Sequence, residues 1–140
     1  MTATGPTAQR IARVANLAYG QQEPRALDEL AAIGSQLGID ELFTVMYSLG
    51  HAVMVKAFDV GPDDQLVLDT RGGDIDDVEL GRRTAMRFLV CCGHGDVPTA
   101  HALFVALPDA HSSETFVRSY LAMVGHLLRH LAALHTSGQQ

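Results

Sequence analysis

Apolar residues along this chain recur three and four positions apart, and the runs stop near prolines. Ile11, Val14, Ala15 and Ala18 make one stripe, and Leu27, Leu30, Ala31 and Gly34 make the next. That spacing puts residues on one face of an α-helix. Pro6, Pro24, Pro62, Pro98 and Pro108 all fall at or just outside the ends of such runs. Proline fixes φ and lacks an amide hydrogen, so it suits a first helical turn and breaks an interior. The chain therefore reads as helices joined by short connections.

The first helix is expected from about Thr7 to Tyr19, with Gly20 as its stop. The second opens at Glu23 and Pro24 and closes at Gly38. Asp40 is expected to cap the third, about Glu41 to Phe58, with Glu41 at the positive end of its dipole. The fourth runs from near Ile75 to about Cys92, with Val78, Ala85, Met86, Leu89 and Cys92 on its apolar side. Asp96 caps a fifth, whose Ala100, Leu103, Phe104 and Leu107 pack inward before Pro108. Ser112 or Ser113 caps a sixth, running to about Leu134. Its broad apolar face holds Phe116, Tyr120, Met123, Val124, Leu127, Leu128, Leu131 and Leu134.

The third helix is apolar nearly all round, which suits the centre of a bundle or a subunit contact. Gly50 in its middle costs helix propensity, and close approach of another helix would explain it. Between the third and fourth helices, about 59–74, the pattern lapses. Its one apolar run, Leu66-Val67-Leu68, has no partner strand, so a long loop is expected. The fold class predicted is all-α: a single compact bundle of five or six helices with one long loop. The helical domain spans 6–135, with 1–5 expected to be disordered and 136–140 a frayed tail. Leu49 and Leu127 are both assigned to the core.

Composition agrees with a packed core: 47% of the 140 residues are hydrophobic and 19% are charged. The formal charge of −6 is a poor match for a phosphate backbone, so nucleic acid is not an expected partner. The most apolar stretch, Leu42 to Phe58, carries Tyr47, Ser48, His51 and Lys56, so it reads as a buried helix and no membrane contact is expected. Gln9, Arg10 and Arg13 interrupt the first apolar run, which does not resemble a secretory leader. Cys91 and Cys92 are adjacent and cannot build a disulfide framework, which favours a reducing cytoplasm.

Several residue groups carry possible chemistry. His126 and His130, four apart on a helix, can chelate one metal ion, but position 127 is Leu where a zincin has Glu. Cys91, Cys92 and His94, with Asp96 and His101 following, offer metal ligands or a thiol beside an imidazole, at no recognised spacing. The acidic residues Asp63, Asp64, Asp69, Asp74, Asp76 and Asp77 do not meet the EF-hand pattern, and turn and cap chemistry explains them. Arg82, Arg83 and Arg87, joined by Arg71 from the loop, could meet an anion or an acidic partner. Glu79 is placed to pair with Arg82 or Arg83, which leaves Arg71, Arg82 and Arg87 as the binding candidates. His51 lies alone in the middle of the third helix, where a hydrogen-bonded histidine is commoner than a catalyst.

No Gly-rich phosphate loop, helix-turn-helix or catalytic triad has sequence support. The expected function is therefore that of a small acidic helical adaptor or regulator. It would act by protein–protein contact with an unidentified partner, and with itself as a homodimer, without a cofactor. The alternative is a small-molecule or metal-binding protein with its site among Cys91, Cys92, His94, His101, His126 and His130.

Overall fold

The computed structural model describes residues 5–58, 77–107 and 110–138. Among these the chain forms six helices and no strand: α1 Pro6–Tyr19, α2 Glu23–Leu37, α3 Ile39–Phe58, α4 Asp77–His94, α5 Val97–Val105 and α6 Ala110–Gly138. The all-α bundle is as expected. Asp63, Asp64, Asp69, Arg71, Asp74 and Asp76, with the Leu66–Leu68 run, lie outside the described residues.

The ends differ from expectation in instructive ways. Asp40 is not a cap: α3 begins at Ile39, directly after Gly38, whose φ of 97° turns the chain. Asp40 and Glu41 both sit in the first turn, where their charge still suits the dipole. Glu41 also accepts a hydrogen bond from Thr7 at 2.9 Å and pairs with Arg10 at 2.6 Å, tying α1 to the start of α3. At the end of α4, Gly93 remains helical and buried, and the stop is Gly95 at φ 74°. The amides of Gly95 and Asp96 reach back to the carbonyls of Cys92 and Cys91 at 3.1 and 2.9 Å, the Schellman arrangement that a left-handed glycine permits. Asp96 then caps α5 as expected, its Oδ1 accepting from the Thr99 amide at 3.2 Å. A hydrogen bond from the Thr99 side chain, and after it this bond from the Thr99 amide, holds the Asp96 carboxyl below its ordinary pKa. The cap is therefore present above the ordinary carboxylate range and lost as pH falls through the lowered value. α6 starts at Ala110, ahead of both serines proposed as caps, and continues to Gly138, beyond Leu134 where the apolar pattern ends.

α3 is the central helix, in contact with every other one. That accounts for most of its apolar circumference: Val45, Met46, Leu49, Val53 and Met54 are all buried. Gly50 is explained as anticipated. A Cβ there would lie 3.0 Å from Cys92 Sγ and 3.2 Å from Leu89 Cδ2, so α4 presses on α3 at this point. The phasing of α2 is a correction. Ala26, Leu30 and Ile33 are buried, while Ala31 is exposed and Leu27 only half-buried. Ile33 joins the inward face, and Gly34 stays on it, half-buried, where a Cβ would lie 3.2 Å from Leu42 Cδ2 of α3, so only Ala31 is misplaced.

The core of α4 to α6 is aromatic. Phe88, which is not on the apolar side expected of α4, is fully buried and lies 5.4 Å from Phe116 and 5.9 Å from Tyr120, edge to face with both. Tyr120 is also fully buried, and its hydroxyl donates to the Met46 carbonyl at 2.7 Å. Burial holds its phenol well above the ordinary tyrosine pKa, with Cys92 adding to the effect.

α6 also closes over the end of α1. Gly125 is so near that a Cβ on it would lie 2.5 Å from the Ala18 carbonyl oxygen. One turn on, Arg129 donates to the carbonyls of Ala18 and Tyr19 at 3.0 and 3.2 Å, a cation at the negative end of α1.

Two outcomes follow for stability. Leu49 is 3% exposed and Leu127 only half-buried, which corrects the assignment of both to the core. Leu49→Ala is expected to cost ~2–5 kcal/mol, and Leu127→Ala about 1 kcal/mol, in urea denaturation; equal losses would contradict this packing. Gly125→Ala is expected to cost ~1–3 kcal/mol, because the obstacle is backbone and cannot swing aside. An unchanged urea midpoint would mean that α6 does not meet α1 as described.

Candidate functional site

The residues proposed from sequence as ligands are not gathered together. Cys92 is fully buried against Gly50. Burial, with Cys91 adding, pushes its thiol far above the ordinary value, so it stays protonated and inert. Cys91 is half-buried; desolvation and Asp96 raise its thiol, only partly opposed by Arg87. His94 ends α4, and His101 lies on α5 against the Phe43 ring, 4.9 Å between centroids. His126 and His130 are exposed on α6. Among the described residues no three His, Cys, Asp or Glu side chains stand close enough to hold a metal ion. Of the arginines, Arg82 and Arg87 are exposed on α4, and Arg71 lies outside the described residues.

Two other surfaces do bring functional groups together. The first runs along α3. Phe43, Tyr47 and His51 are four apart, so they share one side of the helix. Phe43 and Tyr47 stack at 5.7 Å, and Tyr47 and His51 at 6.1 Å with ring planes 7° apart. Phe43 also meets Phe104 at 5.4 Å and Phe88 at 6.2 Å, so the surface strip is rooted in the aromatic core. Beside it lies a groove of about 820 Å³ between α1, α3 and the start of α5. Its walls include Ala8, Ile11 and Ala12 of α1, Thr44, Ser48 and Ala52 of α3, and Val97. None of the described residues lining it is an Asp, Glu, Lys or Arg.

His51 is fixed by a hydrogen bond across to α4. Its Nδ1 lies 2.7 Å from the Cys92 carbonyl, which also accepts from the Gly95 amide. A carbonyl can only accept, so Nδ1 carries the hydrogen and the neutral ring has its lone pair on Nε2. Partial burial, followed by Cys92, Asp96 and Cys91, holds the Tyr47 phenol above its ordinary pKa, so it remains a neutral donor at physiological pH. The strip thus combines flat apolar rings, one phenol and one imidazole nitrogen. It was legible in principle: aromatic residues at 43, 47 and 51 repeat every four positions, but Tyr47 and His51 read as polar interruptions of an apolar helix.

The second surface is a groove of about 430 Å³ between α4 and α6, lined by Arg82, Met86, Leu89, Ser119, Ala122, Met123, His126 and Leu127. It joins one residue of the arginine set to one of the histidine set, which the sequence had placed in separate proposals.

Comparison with family models, curated proteins and solved structures gives no significant match, so both surfaces are read on their own geometry.

One spectroscopic outcome tests the site. In ¹⁵N NMR at a pH where His51 is neutral, its imidazole is expected as the Nδ1–H tautomer. Finding the hydrogen on Nε2 would break the link between α3 and the end of α4.

Proposed function

We propose that this chain is a non-enzymatic interaction protein, an adaptor or regulator, that works as a homodimer joined through the aromatic groove of α3. The observation that carries this reading is the lack of charge on the described lining of that groove. The chain has a net charge of −6, so two copies repel over most approaches. An uncharged aromatic surface is where they can meet at least electrostatic cost.

A closed two-fold contact needs a ridge as well as a groove on the same face. α5 supplies the ridge. Val97 and Val105, two turns apart, are 43% and 52% exposed, and Val97 also borders the groove. The ridge of one copy fills the groove of the other. Tyr and Phe are favoured at such contacts because they contribute large rigid area at small entropic cost. The two vicinal thiols, with no disulfide framework to sustain, are consistent with work in the cytoplasm. No helix among the described residues is long and apolar enough to cross a membrane.

Light scattering at micromolar concentration is expected to give about 30 kDa, twice the 15.0 kDa chain mass. Ala52→Glu places a carboxylate on an exposed position in the groove wall, and is expected to give the single-chain mass with an unchanged melting temperature. A wild-type mass of one chain, or a variant that stays dimeric, would refute the assignment.

A further inference from the structure

The methionines of this chain divide by position. Of the five, Met46 and Met54 are fully buried in the core, and Met1 lies outside the described residues. The other two, Met86 of α4 and Met123 of α6, are half-buried, and both line the groove of about 430 Å³ between those helices. The exposed ring of His126 lines it too. The α3 groove has no sulfur among its described lining residues. The fold brings the three side chains to one place. Ahead of the groove α4 and α6 touch, since a Cβ on Gly81 would lie 2.7 Å from Thr115 Cβ. Both helices advance together from that contact, because later residues of each line the same groove. Met123 and His126 are three apart on α6, which sets their Cβ atoms about 5–6 Å apart on one face. Met86 enters from the facing helix, and fully buried Leu89 closes the floor. An unbranched thioether has three rotatable bonds, so both sulfurs can turn toward a common point.

We propose that this groove binds one cuprous ion, held by the sulfur atoms of Met86 and Met123 and a ring nitrogen of His126. The donor set selects the ion. Thioether sulfur is soft and uncharged, which suits Cu(I) and disfavours the hard cations Mg²⁺ and Ca²⁺. Zn²⁺ takes thiolate, imidazole or carboxylate and fills four positions, which two thioethers and one imidazole do not supply. A monovalent ion of low coordination number is content with three neutral donors. The net charge of −6 favours the approach of any cation, so selectivity rests on the sulfur. The thiols are less available than the thioethers: Cys92 is fully buried, and Cys91 is held protonated by desolvation and Asp96. The site shares no described lining residue with the α3 groove and does not depend on dimer formation.

The probe is silver ion, a redox-inert stand-in for Cu(I), titrated into protein carrying ¹³C-labelled methionine methyl groups. Met86→Leu and Met123→Leu assign the two signals, and leucine keeps the volume while removing the donor. One equivalent of silver is expected to move both signals and to leave those of Met46 and Met54 in place. Mg²⁺ is expected to move neither, which separates donor chemistry from attraction to an acidic surface. Each leucine variant should weaken silver about tenfold or more, and the double variant should abolish binding in the groove. His126→Gln, at an exposed position, is expected to weaken it as well, and keeps the test open should a methionine variant lower the melting temperature. Cuprous ion, supplied with ascorbate in the absence of oxygen, is expected to displace silver from the same signals. Cys91→Ser is expected to leave the titration unchanged. Any of four results overturns the proposal: no shift of the two signals, equal response to Mg²⁺, unchanged affinity in both the double methionine variant and His126→Gln, or failure of cuprous ion to displace silver. So does loss of binding in Cys91→Ser, since the thiol would then be the ligand.

Discussion

A single buried phenol constrains how the two longest helices of this protein meet. Tyr120 is wholly removed from water, and its hydroxyl donates to the Met46 carbonyl of α3. A buried hydroxyl without a partner is costly, on the order of 1–3 kcal/mol, so sliding or rotating α6 on α3 is penalised beyond the loss of apolar contact. The same ring packs edge to face against Phe88, which packs in turn on Phe116 and Phe43. One polar bond thus selects a register, and the aromatic cluster spreads that choice to α4 and α5.

Close backbone approach does the rest. At Gly50 the sulfur of Cys92 and a methyl of Leu89 occupy the space of a side chain, and at Gly125 the end of α1 does. These contacts reward one geometry each, since side chains of any size would hold the helices apart. They also explain an inert thiol at Cys92. Cys92 is present as a small apolar group that fits over glycine, and Cys91 beside it is raised by desolvation.

Much of this was readable from residue patterns, because local physics decides it. Proline placement and three-four periodicity marked out the helices, and Gly50 announced a close contact before its partner was known. The ends were less legible. Asp40, Ser112 and Ser113 are good caps in isolation, but α3 begins directly after Gly38 and α6 is already helical at Ala110. Phasing was legible only where one side was clearly heavier. In α2 the apolar stripe is wide, and tertiary contact buried Ile33 while leaving Ala31 exposed. The candidate sites were the hardest to see. Each needs groups from helices far apart in sequence: the His51 ring with the backbone carbonyl of Cys92, and Arg82 with His126. Metal-like spacing groups histidines that the fold disperses, and the local repeat at 43, 47 and 51 is hidden because Tyr47 and His51 look like polar interruptions of an apolar helix.

The two surfaces are physically joined although they share no lining residue. Leu89 forms the floor of the α4–α6 groove and touches α3 at Gly50. The next residue of α3 is His51, whose ring is bonded to the carbonyl of Cys92, and Cys92 packs on the same glycine. A ligand that pushed Leu89 would therefore press on the seam that holds His51, and with it the stack on Tyr47 and Phe43. Close-packed seams of this kind transmit small displacements because neither side has empty space to absorb them.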